Sequence, residues 1–255
     1  MVMLFRDELI CRDSRNNDKD TVSGDLKSRK LTWWPTKEDQ DLRILCKVLT
    51  EEDSKLDSLH LSECELTDEG VKDIVEALSY NHCHLNSLSL RRNYRITDKG
   101  VKHIAEALSN GRCHLNSLNL SGCKVTDEGV KHIAEVLYNS HCHLNSLDLS
   151  HNGVTDKGAK HIAEALCNGH CHLNSLDLSH NSVTDEGVKH IAEALCNIHC
   201  PLNSLQLKWC KVSNEGATHL AEVLKDSKYK LKWFSNLLIE VTAEGKEQVS
   251  EEGLS

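Results

Sequence analysis

The chain repeats itself every 29 residues over most of its length, and no fold built around a single compact core accommodates that pattern. The first leucine of each copy falls at Leu56, Leu85, Leu115, Leu144, Leu173, Leu202 and Leu231. The steps are 29, with a single 30 where the turn Asn93-Tyr94-Arg95 carries one extra residue. A fixed period of this size predicts a solenoid of stacked supersecondary units.

One copy, HLNSLDLSHNSVTDEGVKHIAEALCN from His172 to Asn197, contains every part of the unit. Leu176, Asp177, Leu178 and Ser179 alternate apolar and polar, the period of a short strand with one buried face. Thr184 is a helix N-cap, and Asp185 and Glu186 place negative charge against the positive end of the helix that follows. Val188, Ile191, Ala192 and Leu195 stand at i, i+3, i+4 and i+7, so that helix buries one stripe and leaves Lys189, His190 and Glu193 outside. A lone copy of strand, turn and helix buries too little apolar surface to offset the entropy of ordering its backbone. Stacked copies bury each other's faces, and because helices need about 10 Å of spacing where strands need about 4.8 Å, the stack bends by about 25° per unit.

Three residues after the last strand leucine of each copy stand Cys64, Asn93, Cys123, Asn152, Asn181 and Cys210. This column resembles the asparagine/cysteine ladder of leucine-rich repeats, whose buried side chains bond backbone groups left unpaired at a sharp turn. The repeat length, the full helix and the Asn-x-x-Cys-x-Leu approach to each strand (Asn110 to Leu115, Asn139 to Leu144, Asn168 to Leu173) resemble the ribonuclease-inhibitor-like subclass, most of all the repeat domain of NOD-like receptors. The resemblance implies an α/β fold, a right-handed leucine-rich-repeat horseshoe with a parallel concave sheet and convex helices. It also implies an intracellular scaffold that binds a protein on its concave face. Two other activities occur on the same repeats: GTPase activation resembling that for Ran, and enzyme inhibition resembling ribonuclease inhibitor.

The organisation along the chain follows from where the pattern holds. Residues 1–30 are polar and patternless and are expected to be disordered. Residues 31–55, with Trp33, Trp34, Pro35 and a helix from Thr36, read as a degenerate capping repeat. Six full repeats occupy 56–230. A degenerate repeat with an acidic tail fills 231–255, where Phe234 keeps register but Asn236 and Ile239 replace a strand leucine and the ladder residue.

Composition narrows the partners. A net charge of −9 and the absence of a basic stripe argue against nucleic acid. No apolar run approaches a membrane span, and MVMLF gives way at once to Arg6, Asp7 and Glu8, too short for a secretion signal. A cytoplasmic protein, monomeric alone, with no membrane partner, is expected. There is no phosphate loop, dinucleotide fingerprint or nucleophile elbow, so neither catalysis nor a cofactor is expected.

Twelve cysteines follow the repeat rather than a disulfide or metal pattern. Cys83, Cys113, Cys142, Cys171 and Cys200 each precede a strand leucine by two, where a small buried hydrophobe fits. Cys167, His170 and Cys171, with Cys196, His199 and Cys200, form C-x-x-H-C strings, and with His172 a zinc site is conceivable. The repeat accounts for each residue singly, and reduced structural thiols are expected. His103, His132, His161, His190 and His219 form a column on successive helices, too far apart to share a metal, and are read as exposed copies. Gly70, Gly100, Gly129, Gly158, Gly187, Gly216 and Gly245, inside the first helical turn, are read as letting one helix approach the next.

The ligand must be read from the concave face. Its outward positions are mostly serine: Ser58, Ser62, Ser87, Ser89, Ser117, Ser121, Ser146, Ser150, Ser175, Ser179 and Ser204. Against them stand Arg91 and Arg92 near one end, Asn119, then Asp148 and Asp177 with His151 and His180, and Gln206, Lys208 and Trp209 near the other end. Interface hot spots favour Trp, Tyr and Arg. The two end clusters are therefore the expected protein-binding positions, with the near-identical central units as a spacer.

Overall fold

In a computed structural model of the chain, description is continuous over 56–80, 84–111 and 113–224. Outside that stretch it covers residues 3–5, 8–10, 24–25, 30–32, 42, 45–46, 49–50, 233–235, 240–242 and 247–248. The disorder expected for 1–30 and for the acidic tail falls mostly on residues outside this description. So does the helix expected from Thr36, apart from helical residues 42, 45, 46, 49 and 50.

Each repeat contributes one three-residue strand and one helix. The strands are β1 (Ser58–His60), β2 (Ser87–Ser89), β3 (Ser117–Asn119), β4 (Ser146–Asp148), β5 (Ser175–Asp177) and β6 (Ser204–Gln206). The helices are α1 (Asp68–Leu78), α2 (Asp98–Ser109), α3 (Asp127–Leu137), α4 (Asp156–Leu166), α5 (Asp185–Leu195) and α6 (Asn214–Leu224). Strands pair in parallel without slippage, Leu59 opposite Leu88, Leu118 opposite Leu147 and Leu176 opposite Leu205. Lys30–Thr32 extends the sheet in parallel beyond β1, and Trp233–Ser235 beyond β6 with Phe234 opposite Leu205. After Trp233–Ser235 the chain departs from the repeat, because Glu240–Thr242 pairs with it antiparallel. The result is an α/β solenoid with a parallel sheet on one face and helices on the other.

The core lies between the two layers and is aliphatic: Leu173, Leu176, Leu178, Val183, Val188, Ile191 and Ala192 of one repeat are all fully buried. The strands are shorter than the leucine pattern, yet the backbone ladder continues beyond them. Leu178 N–H reaches Gln206 O at 2.9 Å and His180 N–H reaches Lys208 O at 2.7 Å. No helix of the described residues is long and apolar enough to cross a membrane.

Two devices hold repeat to repeat. The first is the ladder: Asn93 Oδ1 accepts from Cys64 and Leu66 N–H, both at 3.0 Å, while its amide donates to Leu61 O and Leu90 O. Asn181 bonds Val154 N–H and Leu149 O likewise, and where cysteine replaces asparagine the thiol keeps one contact, Cys123 Sγ to Leu90 O at 3.4 Å. The second is the first aspartate of each helix, which the sequence explained by the helix dipole alone. Asp156 Oδ1 accepts from Thr184 N–H at 2.7 Å and Gly187 N–H at 3.1 Å, and its Oδ2 from the Thr184 hydroxyl at 2.8 Å. Asp68, Asp98, Asp127 and Asp185 clasp the next repeat in the same way. Each aspartate thus supports the N-terminus of the following helix as well as its own.

This clasp corrects the reading of the helical glycines. A Cβ at Gly100, Gly158 or Gly187 would lie 2.6 Å from the clasping carboxylate of the preceding repeat, and at Gly129 and Gly216 the approach is closer still. At these five positions the missing side chain admits a carboxylate and helix-to-helix approach is secondary, whereas at Gly70 a Cβ would meet Leu42 at 3.3 Å, as the approach reading expects, and Gly245 lies outside the described residues.

Candidate functional site

The strand exit sets the site's geometry. In every repeat the third residue after the strand turns into left-handed backbone: Glu63, Arg92, Gly122, His151, His180 and Trp209 have φ between 55° and 66°. The turn is needed because the amide at that position still pairs with the next strand, His151 N–H to Ser179 O at 2.9 Å, while the chain bends toward its helix. Only the glycine is at ease there; for other residues the conformation costs about 1 kcal/mol. The column carries a row of side chains along one rim of the concave face, and most of them are not glycine.

Repetition brings the rings of this rim into register. His151 and His180 stack with centroids 3.8 Å apart and planes 13° from parallel, and Trp209 continues the stack at 5.8 Å from His180. The two histidines and the tryptophan, read from the sequence as a central and an end cluster, therefore form one strip. Trp209 remains 59% exposed despite its size. Burial against its neighbours and the adjacent His151 hold the His180 imidazole below its usual pKa, and Asp177 opposes the shift.

Beside the strip runs the second strand column. Asp148 and Asp177 lie directly opposite one another on β4 and β5. Asp148 Oδ1 accepts from Ser150 N–H at 2.9 Å and Oδ2 from the Asn119 amide at 2.8 Å, while Asn119 Oδ1 accepts from Ser121 N–H. Asp177 Oδ1 accepts from Ser179 N–H at 2.8 Å. Burial pushes the Asp177 carboxyl above the usual carboxylate range, Asp148 adds to the rise, and Ser179 opposes it.

The serines between these columns are not displayed as the sequence suggested. Ser121, Ser150 and Ser179 are buried, because the Asn119 amide and the Asp148 and Asp177 carboxylates fold back onto the serine amides on one side and the rim residues stand on the other. Ser150 donates to Ser121 Oγ at 2.8 Å. Ser179 lies beside the Asp177 carboxylate, yet its buried hydroxyl meets no partner at hydrogen-bonding geometry among the described residues. Sequence reasoning grouped Ser179 with the bland surface. The only signal that set it apart was Lys208 where the next copy should carry serine.

The remaining expected residues lie apart. Arg91 is exposed on the second repeat, and Arg92 turns to Glu63 with Nη1 3.0 Å from Oε1. Between them and His151 lies the repeat of Asn119 and Gly122. Gln206 and Lys208 are half-buried on and just after β6. The structure therefore gathers Asp148, Asp177, His151, His180 and Trp209 into one patch, with Asn119 bonded to its edge.

The other titratable columns lie elsewhere. His103, His132, His161 and His190 are half-buried rather than freely exposed, whereas His219 is exposed as expected; His132 lies 3.9 Å from Glu128 and 3.7 Å from Glu135, and His190 lies between Glu186 and Glu193. His114, His143 and His172 stack at 6.2 Å spacing where the chain enters the strands. Cys171 and Cys200 are buried while Cys196 is exposed, so the C-x-x-H-C strings split between core and surface. Among the described residues no three His, Cys, Asp or Glu side chains converge as a metal site would require. Burial pushes the Cys171 thiol up to about 11 and the Cys123 thiol up to about 12.

Six segments, 53–75, 81–105, 112–134, 140–163, 169–192 and 199–221, match the family described as Leucine Rich repeat. Among solved structures the chain is similar to one titled Leiomodin-1 Actin-Binding Site 2, at 18% identity over 75% of this chain and 89% of that chain, with a TM-score of 0.41. A tropomodulin C-terminal domain from Caenorhabditis elegans is similar at 14% identity over 72% and 92% of the two chains, with a TM-score of 0.42. No curated protein matches the sequence.

Proposed function

The chain belongs to the leucine-rich repeat family, and on that premise we propose that it is a non-enzymatic scaffold holding a protein partner on its concave face. One observation carries the reading. A sheet surface built mostly of serine bears a strip of exposed rings, His151, His180 and Trp209, held on left-handed backbone that stability alone would fill with glycine and flanked by the half-buried Asp148 and Asp177. The 29-residue unit, its full helix and its Asn/Cys ladder favour the ribonuclease-inhibitor-like subclass, and within it a regulatory repeat domain like that of NOD-like receptors. Residues 31–55 and 231–255 then serve as caps over the ends of the core, a role supported by the in-register strands Lys30–Thr32 and Trp233–Ser235.

Cross-linked capture from lysate tests the scaffold. Wild type is compared with a concave variant, Arg91→Ala/Lys208→Ala/Trp209→Ala, and a convex variant, Glu128→Gln/Glu135→Gln. A partner retained by the convex variant and lost from the concave one is the expected result. Equal retention by both overturns the assignment to the concave face.

A further inference from the structure

Within the concave-face reading on which it rests, the chemistry of the strip points to one class of partner. We propose that Asp148, Asp177, Ser179, His180 and Trp209 form the docking site for an arginine side chain on a basic segment of a partner protein.

Four features converge on that patch. First, Asp148 and Asp177 are like charges directly opposite on paired strands, an arrangement that destabilises a sheet unless a cation comes between or beside them. Asp148 has a hydrogen-bond partner on each oxygen from a different residue, whereas Asp177 has Ser179 alone, whose amide lies 2.8 Å from Oδ1 and whose hydroxyl lies beside the carboxylate. Second, the Ser179 hydroxyl is buried beside that carboxylate without a well-aligned hydrogen bond to it, although its counterpart Ser150 is bonded to Ser121. The serine ladder breaks where Lys208 takes the next place, and a buried hydroxyl in that state calls for an outside group.

Third, the ring stack ends in Trp209, the best face for a cation and more than half exposed. Fourth, the chain is acidic overall at −9, and Lys208, one repeat further along the same face, makes no ion pair with either carboxylate among the described contacts. Arginine fits these features better than lysine. Its planar fork can donate to a carboxylate and a hydroxyl together while lying against an aromatic ring, whereas an ammonium is a compact, strongly hydrated point charge.

Calorimetry with a nine-residue peptide of alternating glycine and arginine tests the site, alongside the same peptide carrying lysine or citrulline in place of arginine. The protein is used as wild type, Asp148→Asn/Asp177→Asn, Trp209→Ala and the convex control Glu128→Gln/Glu135→Gln, which removes the same two charges elsewhere. Circular dichroism verifies that each variant keeps its fold. The arginine peptide is expected to bind wild type, to weaken at least about tenfold as citrulline, and to weaken by a similar factor in the concave acid and tryptophan variants. It should change by less than about twofold in the convex control. Equal weakening by the concave and convex charge changes, or lysine binding as tightly as arginine, overturns the proposal. If the arginine peptide fails to bind while cellular capture is still lost from the concave variant, the arginine assignment falls and the scaffold reading stands. If capture survives in every concave variant, the scaffold reading falls.

Discussion

The carboxylate of Asp156 occupies the space that a side chain at Gly187 would need. A Cβ built on Gly187 would lie 2.6 Å from Asp156 Oδ1 and 2.7 Å from a methyl of Val183. Alanine normally improves a helix relative to glycine by about 1 kcal/mol. Here the sign reverses, since the added methyl must expel the carboxylate that accepts from Thr184 and Gly187. Gly187→Ala should lose about 1 to 3 kcal/mol, read as a lower urea midpoint. Gly169→Ala, whose nearest neighbour would be 3.9 Å away, should leave the midpoint unchanged or slightly higher. A raised midpoint for Gly187→Ala would contradict the clasp.

This clasp also marks where sequence reading stops. The repeat, the leucine strand and the threonine cap all signal themselves within ten residues of the group they serve, so Leu176, Val188 and Thr184 could be assigned from one copy. Asp156 has a sufficient local explanation in its own helix dipole, and its true partners lie 28 and 31 residues away. The left-handed column was illegible for a different reason. Only Gly122 advertises its backbone, whereas His151, His180 and Trp209 give no sign of a positive φ. Without that angle their rings could not be known to stack, and a central and an end cluster were read where one strip exists. The burial of Ser150 and Ser179 follows from the same strip and was hidden with it.

The ladder gives a second prediction. Asn152 donates to Leu120 O at 2.9 Å and Leu149 O at 3.0 Å and accepts from Val125 N–H at 3.1 Å. Asn152→Ala strands these backbone groups and should cost about 1 to 3 kcal/mol. Asn119 has only its half-exposed bonds to Asp148 and Ser121, so Asn119→Ala should cost about 1 kcal/mol or less. Equal urea shifts for the two would deny the ladder its role.

Asp177 should be a site where wild type is less stable than its amide. Its pKa is raised in the fold, so between the ordinary carboxylate value and the raised one the native state binds more protons than the unfolded chain, and stability falls as pH rises through that window. Above it the unfavourable ionisation is fully present. Asp177→Asn, which keeps an acceptor for Ser179 N–H, should therefore raise the urea midpoint at pH 7, and the advantage should shrink as pH is lowered through the window. A lower midpoint at pH 7 would mean that the charge is compensated within the chain and needs no external cation.

The thiols should divide by position in the repeat. Cys113, Cys142, Cys171 and Cys200 are buried before the strands, whereas Cys196 is exposed at the end of α5. Thiolate is the reactive form, and burial that holds Cys171 near 11 and Cys123 near 12 suppresses it. At pH 8 a disulfide reagent should modify Cys196 rapidly in the native protein and these buried thiols only after denaturation. Rapid native labelling of Cys171 would show that the entry to the strands opens.

Removing residues 144–172 should leave a folded solenoid one unit shorter. The cut deletes β4 and α4 and joins His143 to Leu173, so α3 then faces α5. The interface parts are duplicated there. Asp127, which clasps Thr155 and Gly158, would meet Thr184 and Gly187, and Asn181 Oδ1 would accept from Val125 N–H in place of Asn152 Oδ1. Two changes of size fall at the new seam, Val188 where Ala159 stood and Ser182 where Gly153 stood, whose Cβ would lie 3.3 Å from Val125 O, a modest overpacking of about 1 kcal/mol or more. Because each repeat touches only its neighbours, urea should still unfold the shortened chain in one cooperative step, with helical signal lower by one helix. The concave patch fares differently, since Asp148 and His151 leave with the deleted unit and Asp177 then stands opposite Asn119. The arginine peptide should bind this folded variant more weakly than wild type. Undiminished binding would mean that Asp177, Ser179 and Trp209 suffice and that the paired carboxylate plays no part.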